Sequence, residues 1–286
     1  MPLALITGAS TGIGRATALQ LAAGGWTVLA GVRDPSAGER LSAAAGAPER
    51  LIPLTLDVTD AAQIVAAAQR VREQDAPGGA SAHGRLDALV NNAGIGVGGP
   101  LELISLEDLR RQFEVNVFSQ VAVMQALLPA LREARGRIVF VSSIGGRVAT
   151  PFVAPYSASK HAVEALADAL RVELSSSHVQ VALVEPGAVA TPIWDKARGD
   201  ADSFIVPPEL QQQYGKVQAA LRKTIEQTAG RAVAPEVVAA TIERALSARR
   251  MRSRYVVGTD AKVQLLLSRV LPDRVFDRLV TRVLGL

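Results

Sequence analysis

The chain has 286 residues, 49% of them hydrophobic, with 24 Gly, three His and no Cys. The missing Cys excludes disulfides, thiolate catalysis and Cys-ligated metal sites, and none of His83, His161 and His178 stands at metal-ligand spacing from another. The formal charge of +4 is uneven: residues 244–286 hold 10 basic and 3 acidic side chains, while the first 243 residues hold 21 and 24. The body of the chain is slightly acidic and its end strongly basic, so net charge alone does not argue for nucleic acid.

In chain order, MPLALITGAS leads directly into an apolar run with no basic leader, so no secretory signal is expected. Strand-length apolar runs follow at Leu3–Ile6, Thr27–Ala30, Leu51–Leu56, Leu86–Val90, Arg137–Ser142, Val179–Glu185 and Tyr255–Val257. Between them lie Ala- and Leu-rich stretches of helical period, including Ile13–Ala23, Ala61–Gln74, Leu106–Leu131 and Tyr156–Leu174. Nearly all-apolar strands alternating with helices predict an α/β fold, a doubly wound parallel sheet covered on both faces. The length fits one domain over residues 1–286. The least charged stretch, Val115–Leu131, is broken by polar residues and Pro, and falls short of the ~20 apolar residues of a membrane span. A cytoplasmic protein, soluble or peripherally attached, is therefore expected. Residues 76–84 (APGGASAHG) read as a surface loop, and Pro-rich residues 192–235 read as an inserted lid or pocket wall.

The first strand runs into Thr7-Gly8-Ala9-Ser10-Thr11-Gly12-Ile13-Gly14 and then a helix. Glycines 8, 12 and 14 permit a tight turn, close approach of backbone to a pyrophosphate, and close helix–strand packing. The helix N-terminus adds free N–H groups for an anion. The second strand ends Ala30-Gly31-Val32-Arg33-Asp34. An acid at the strand end would bind the ribose 2′-hydroxyl of NAD. Val32 at the discriminating position, followed by Arg33 that can pair with a 2′-phosphate, predicts NADP(H) over NAD(H).

Tyr156 and Lys160 are spaced i,i+4 on one helix face. A Tyr with pKa ~10 is a poor acid or base at neutral pH. An ammonium ~4 Å away, at an effective dielectric of ~20, would lower that pKa by up to ~3 and let the phenol exchange a proton with an alcohol.

Together these motifs resemble the short-chain dehydrogenase/reductase family from residue 3 to about residue 192: the glycine loop at 8–14, Asp57-Val58, Asn91-Asn92-Ala93-Gly94, Asn116, Ser142-Ser143, Tyr156 with Lys160, and Pro186-Gly187 with Thr191. The resemblance implies a Rossmann-type sheet of about seven strands and an oxidoreductase using NAD(P). It implies Tyr156 as general acid/base, Lys160 lowering its pKa and holding the nicotinamide ribose, and Ser143 bonding the substrate oxygen. Asn116 would hold a water that extends a proton path from Lys160. Gly8, Ser10, Thr11, Gly12, Ile13 and Gly14 would cradle phosphates, with Arg33 at the ribose and Asp57 and Val58 at the adenine. Asn92, Ala93 and Gly94 would line the cleft, and Pro186, Gly187, Val189 and Thr191 would border the nicotinamide. Members preferring NADP often carry a base before the second loop glycine, where this chain has Thr11.

Substrate contacts are expected from Ile144, Phe152, Ile193, Trp194 and Phe204, all apolar, with no Arg or His suited to grip an anion. Residues 259–286 form the tail, and Ala261–Leu286 within it reads as two helices broken at Pro272. The second helix carries one apolar stripe, with Arg274, Arg278 and Arg282 recurring every fourth residue. It would pack on the domain or a partner subunit, dock on an anionic membrane, or cover the pocket mouth. With Asp260-Ala261-Lys262, this ending is loosely similar to the retinol and 17β-hydroxysteroid dehydrogenase branch, which implies a lipophilic alcohol or carbonyl substrate and a homodimer or homotetramer. A dinucleotide-binding sensor without chemistry is the alternative. No nucleic-acid partner is expected, because the tail lacks interleaved aromatics for stacking.

Overall fold

The computed structural model describes residues 1–74, 83–192, 206–215, 226, 228–230 and 232–284. Strands β1 (Leu3–Ile6), β2 (Thr27–Val32), β3 (Leu51–Thr55), β4 (Ala88–Asn91), β5 (Arg137–Val141), β6 (Gln180–Pro186) and β7 (Arg254–Val257) form one sheet. Its order is β3-β2-β1-β4-β5-β6-β7, and every neighbouring pair is parallel. The chain winds outward one way from β1 and then returns to β4 to wind the other way. A crevice opens at the carboxyl ends of β1 and β4, where the winding reverses.

Alternate strand residues feed two cores. Leu3 and Leu5 of β1, with Leu89, Ile138 and Leu183, face helices α3 (Ala61–Glu73), α5 (Ser119–Ala134) and α6 (Ala154–Glu173). Ala4 and Ile6, with Val90, Val139 and Val184, face α1 (Gly12–Ala23), α2 (Pro35–Ala43) and α7 (Pro235–Ser247). Burial on both faces explains why these strands lack the polar alternation of a half-exposed sheet. Gln20 on α1 donates to Glu243 on α7 at 2.7 Å, joining the two helices.

Several boundaries differ from the sequence reading. β2 continues past Ala30 because Gly31 and Val32 still pair with Leu54 and Thr55. Helix α2, absent from the reading, starts where the Asp34 carboxylate accepts the Ser36 amide at 3.0 Å and Pro35 occupies the first turn. α4 (Leu106–Phe113) joins α5 through a π-helical turn, Glu114–Phe118, making one helix of 29 residues. That joined helix is, by length and composition, apolar enough to cross a membrane, but half of its apolar window is buried. Met124, Leu127 and Leu131 pack it against the sheet as a core helix.

Residues 192–235 leave and re-enter through a neck. Ala190 N donates to Val233 O and Val233 N to Ala188 O, both at 2.9 Å, and Val189 pairs with Val233. Within this segment, Tyr214 donates to Glu102 at 2.8 Å across the loop after β4. Of the loop expected at 76–84, only His83 and Gly84 are among the described residues. The tail forms α8 (Thr259–Val270) and α9 (Asp273–Leu284), broken at Pro272 as the sequence reading has it.

A buried ionic cluster locks β6, β7 and α6 together. Arg254 on β7 reaches Glu185 on β6 and Glu164 on α6, each at 3.0 Å, and also bonds Asp168; Arg147 holds Glu185 at 3.2 Å. Burial and the neighbouring Glu164 carboxylate push Glu185 up to about 7, against the pull of Arg147 and Arg254. With the folded pKa above the unfolded one, Glu185 contributes stability below about pH 4.5 and loses it as pH rises through about 7. Arg254→Met, which strands two buried carboxylates, is expected to destabilise the chain by about 3–5 kcal/mol. Urea denaturation should show the larger loss above pH 7, where Glu185 must carry its charge.

Candidate active site

A cleft of about 920 Å³ lies at the carboxyl ends of the central strands. Its floor is the turn after β1, whose shape depends on glycine. Gly8 and Gly12 have φ of +65° and +54°, and a Cβ on Gly14 would lie 2.2 Å from the Gly8 carbonyl oxygen. The turn after β4 closes against it. Asn92 Nδ2 donates to Thr7 O at 2.9 Å and Gly8 O at 3.1 Å, while Thr7 Oγ1 accepts the amides of Asn92 and Ala93 at 2.9 and 3.0 Å. α1 carries no acidic residue in its first turn, so its positive end faces the cleft uncompensated.

At one end of the cleft stand Arg33, Asp57, Val58 and Thr59. Asp57 accepts Thr59 N and Oγ1 at 2.9 and 2.7 Å, and these bonds hold its carboxyl below the usual range. Val32 is buried in the core, so Arg33 alone of the strand-end pair reaches the cleft. Asp34 caps α2 and pairs with Arg40 at 3.7 Å, which ties this carboxylate to the helix start.

At the other end, Tyr156, Lys160 and Ser142 line the cleft beside the glycine turn. Ser143 Oγ accepts the Gly145 amide at 3.0 Å and hydrogen-bonds the Tyr156 phenol. Ser142, one residue earlier, is buried and its hydroxyl has no partner among the described residues, and Ser143 is the serine that meets the tyrosine. Lys160 Nζ donates to Val141 O at 2.8 Å and lies 5.8 Å from the Tyr156 ring centre. Burial pushes Lys160 down to about 8, opposed by Glu164 one turn along.

This corrects the expected electrostatics. Burial pushes the Tyr156 phenol up, and the Ser143 hydrogen bond pulls it down. The i,i+4 spacing puts the ammonium near the ring, but the end of β5 anchors it, and desolvation of the buried lysine and the half-buried tyrosine disfavours charge on each.

The remaining expected residues divide. Gly8, Ser10, Thr11, Gly12, Ile13, Asn92, Ala93, Gly94 and Thr191 line the cleft, and Gly14 packs directly beneath Gly8. Thr191 sits against Gly12, where a Cβ would meet its methyl at 2.9 Å. Asn116 is wholly buried in the π-helical turn. Its Oδ1 accepts Ile95 N at 2.8 Å, and its Nδ2 donates to Ile95 O at 2.9 Å and Ser159 Oγ at 3.1 Å. Its side chain thus clamps the loop after β4 to α6. Val189 packs into the core at the neck rather than toward the cleft. Ile144 is buried against Val148 and Ala261, and Phe152 sits at φ +67°, its carbonyl accepting Gly99 N at 2.7 Å; neither lines the cleft. Ile193, Trp194 and Phe204 lie outside the described residues.

The fold and this site have matches among known proteins. A family model described as short chain dehydrogenase matches residues 2–202. The chain belongs to the short-chain dehydrogenase/reductase family. It is 34% identical to an NADPH-dependent 3-dehydrocapnine reductase of Ornithobacterium rhinotracheale, over 98% of this chain and 96% of that one. It is 36% identical to retinol dehydrogenase 5 of Mus musculus, over 98% and 87% respectively. A short-chain dehydrogenase/reductase from Burkholderia phymatum in complex with NAD superposes with a TM-score of 0.76 at 28% identity, covering 94% of this chain and 92% of that one. This member of the family is thus an oxidoreductase related to the retinol dehydrogenase branch.

Three parts of this dehydrogenase site were not read from sequence. Glu107, Arg110, Arg111 and Glu114 of the α4 helix and its π-turn line the cleft opposite the glycine turn, and their i,i+3/i+4 spacing was the available signal. Thr7, the pivot of the two turns, precedes the glycines and carries no motif of its own. Asp260, noted in sequence only within the tail motif and not as a site residue, is the third. Its carboxylate accepts Ala188 N at 2.9 Å and fills the space where a Gly187 Cβ would stand, 2.2 Å away, so the start of α8 backs the Pro186-Gly187 turn. Asp260→Ala removes a charge-assisted hydrogen bond worth about 1.5–3 kcal/mol. A matching drop in stability on urea denaturation is expected, with weaker cofactor binding by fluorescence titration.

Proposed function

We propose that the chain is an NADP(H)-dependent oxidoreductase that interconverts a hydrophobic alcohol with its ketone or aldehyde. The observation that carries this reading is the convergence of Ser143, Tyr156 and Lys160 at one end of a cleft whose floor is the glycine turn. The cleft fits a dinucleotide chemically. Backbone amides and a helix N-terminus await phosphates, Asp57 and Val58 stand at the far end, and glycines hold open the space a Cβ would fill.

When bound, the nicotinamide supplies or takes up hydride. In the reduction direction, Tyr156 gives its phenolic proton to the carbonyl oxygen while Ser143 donates a hydrogen bond to the same oxygen, stabilising the charge that develops there. A phenol kept protonated by burial suits this donor role. Lys160 spends one N–H on Val141 and keeps two more for the ribose hydroxyls. With a pKa of about 8 it remains largely charged at neutral pH and keeps those N–H groups as donors. Asn116 acts in this reading by holding the loop after β4 and the turn at Ser159 in place.

The relatives support the cofactor and the substrate class. One named relative uses NADPH and another acts on retinol, a lipophilic alcohol. Arg33 at the cleft, with Asp34 engaged in capping α2, favours a 2′-phosphate. The complex of Burkholderia phymatum with NAD supports NAD(H) as the second cofactor. Exposed Phe118 on the π-turn and exposed Leu166 and Val172 on α6 offer apolar surface that supports self-association.

Tyr156→Phe should lower turnover on an authenticated substrate by about 10²–10⁴-fold with cofactor affinity kept. Wild-type turnover in that variant would refute the reading, and cofactor binding without turnover on any carbonyl would support a sensor instead. Arg33→Ala should reduce the preference for NADPH over NADH by roughly 10–100-fold, measured as the ratio of kcat/KM values.

A further inference from the structure

We propose that the helical pair α8–α9 docks on an anionic lipid surface. The evidence is the order of side chains around each helix. On α9, Phe276, Val280 and Leu284 form an inward, half-buried stripe, and Phe276 packs on the cluster of Ile144, Val148 and Ala261. Val275, Leu279 and Val283 form a second apolar stripe that is 44%, 38% and 73% exposed. Arg274, Arg278 and Arg282 border that stripe one residue earlier at each turn, all exposed.

Helix α8 repeats the arrangement. Val263, Leu266 and Val270, spaced i, i+3, i+7, are 49%, 61% and 69% exposed, with exposed Lys262 and Arg269 beside them. Two adjacent helices thus each present an unpartnered apolar stripe edged by cations. The exposed acids of the pair, Asp273 and Asp277, fall on the far side of α9 from the apolar stripe. Arg249, Arg250 and Arg252 lie before β7, at its opposite end, and are not counted in this surface.

Charge selects the occupant. A second copy bound through this face would set one basic edge against another, and the chain exposes other large apolar side chains, Phe118 on the π-turn and Leu166 and Val172 on α6, for self-association. A bilayer with anionic headgroups takes the apolar stripes into its interface and pairs with the cations. The inner face of the same helical pair contacts Ile144, immediately after Ser143, so docking would hold the catalytic end of the cleft close to lipid. A lipophilic substrate would then reach the site from the membrane rather than from water. The docking itself does not rest on the proposed activity, because it is measured without turnover.

The test is flotation of the full chain with phosphatidylcholine vesicles, with and without phosphatidylglycerol. Binding is expected only where phosphatidylglycerol is present, and salt should release it. Arg274→Gln, Arg278→Gln and Arg282→Gln together should cut the partition onto those vesicles roughly a hundredfold, at about fivefold per cation. Leu279→Asp with Val283→Asp should abolish it, both variants keeping the wild-type melting midpoint. No flotation with phosphatidylglycerol, or unchanged flotation of the triple Arg variant, overturns the proposal. So does conversion of a wild-type dimer to monomer by the Leu279/Val283 variant, which would give the face to a second copy. If the apolar variant fails to fold, the triple Arg variant alone decides.

Discussion

The contact between the turn after β1 and the turn after β4 is the constraint on which the site depends. Four hydrogen bonds among Thr7, Gly8, Asn92 and Ala93 bring two loops together that are more than eighty residues apart in sequence. Their approach is so close that Gly14 has no room for a Cβ, and Gly8 would push one into Ala93. Because the strand order reverses between β1 and β4, this is also where the helices part and leave the sheet end open. The phosphate turn, the cleft floor and the approach to Tyr156 are consequences of one tight junction.

A second constraint is electrostatic. Lys160 and Glu164 stand one turn apart on α6, Glu164 shares Arg254 with Glu185, and Arg254 belongs to the last strand. A continuous line of buried charges therefore runs from the catalytic end of the cleft to β7, from which the tail departs. Each member is tolerable only because the next is there, since isolated charge in such surroundings would neutralise or destabilise the fold. Asp260 adds a neutral-backbone version of the same coupling, joining the first turn of α8 to the turn after β6. The start of the tail thus backs the turn after β6, while the rest of it carries basic charge.

The parallel α/β fold was legible because strands buried on both faces leave unbroken apolar runs, and all seven came out within two residues of their observed ends. Helix α2 was not, since its apolar signal is confined to a few small residues and only Asp34 and Pro35 announce it. The cleft-lining glycines and Asn92–Gly94 were legible because each motif adjoins a strand end and the strand ends converge, and Tyr156 with Lys160 because i,i+4 spacing puts them on one helix face. The substrate wall was less so. Ile144 was chosen for standing next to Ser143, yet that position turns its side chain into a small core beneath α8. Adjacency in sequence says nothing about direction at a 3-10 turn.

Sequence alone determined the class of sheet, the phosphate turn, the chemistry-bearing trio and the uneven charge, because these depend on residue type and local period. Tertiary structure alone decided which neighbours each ionisable group meets. The i,i+4 spacing foretold a lysine that lowers a tyrosine pKa; the packed protein buries the lysine, half-buries the tyrosine, ties the ammonium to Val141 and leaves the phenol raised. It also decided which apolar stripe of α9 turns inward and which stays out, since both stripes repeat every fourth residue and only the position of the Ile144 cluster distinguishes them. Desolvation and contact depend on what arrives from elsewhere in the chain, and no local pattern encodes that.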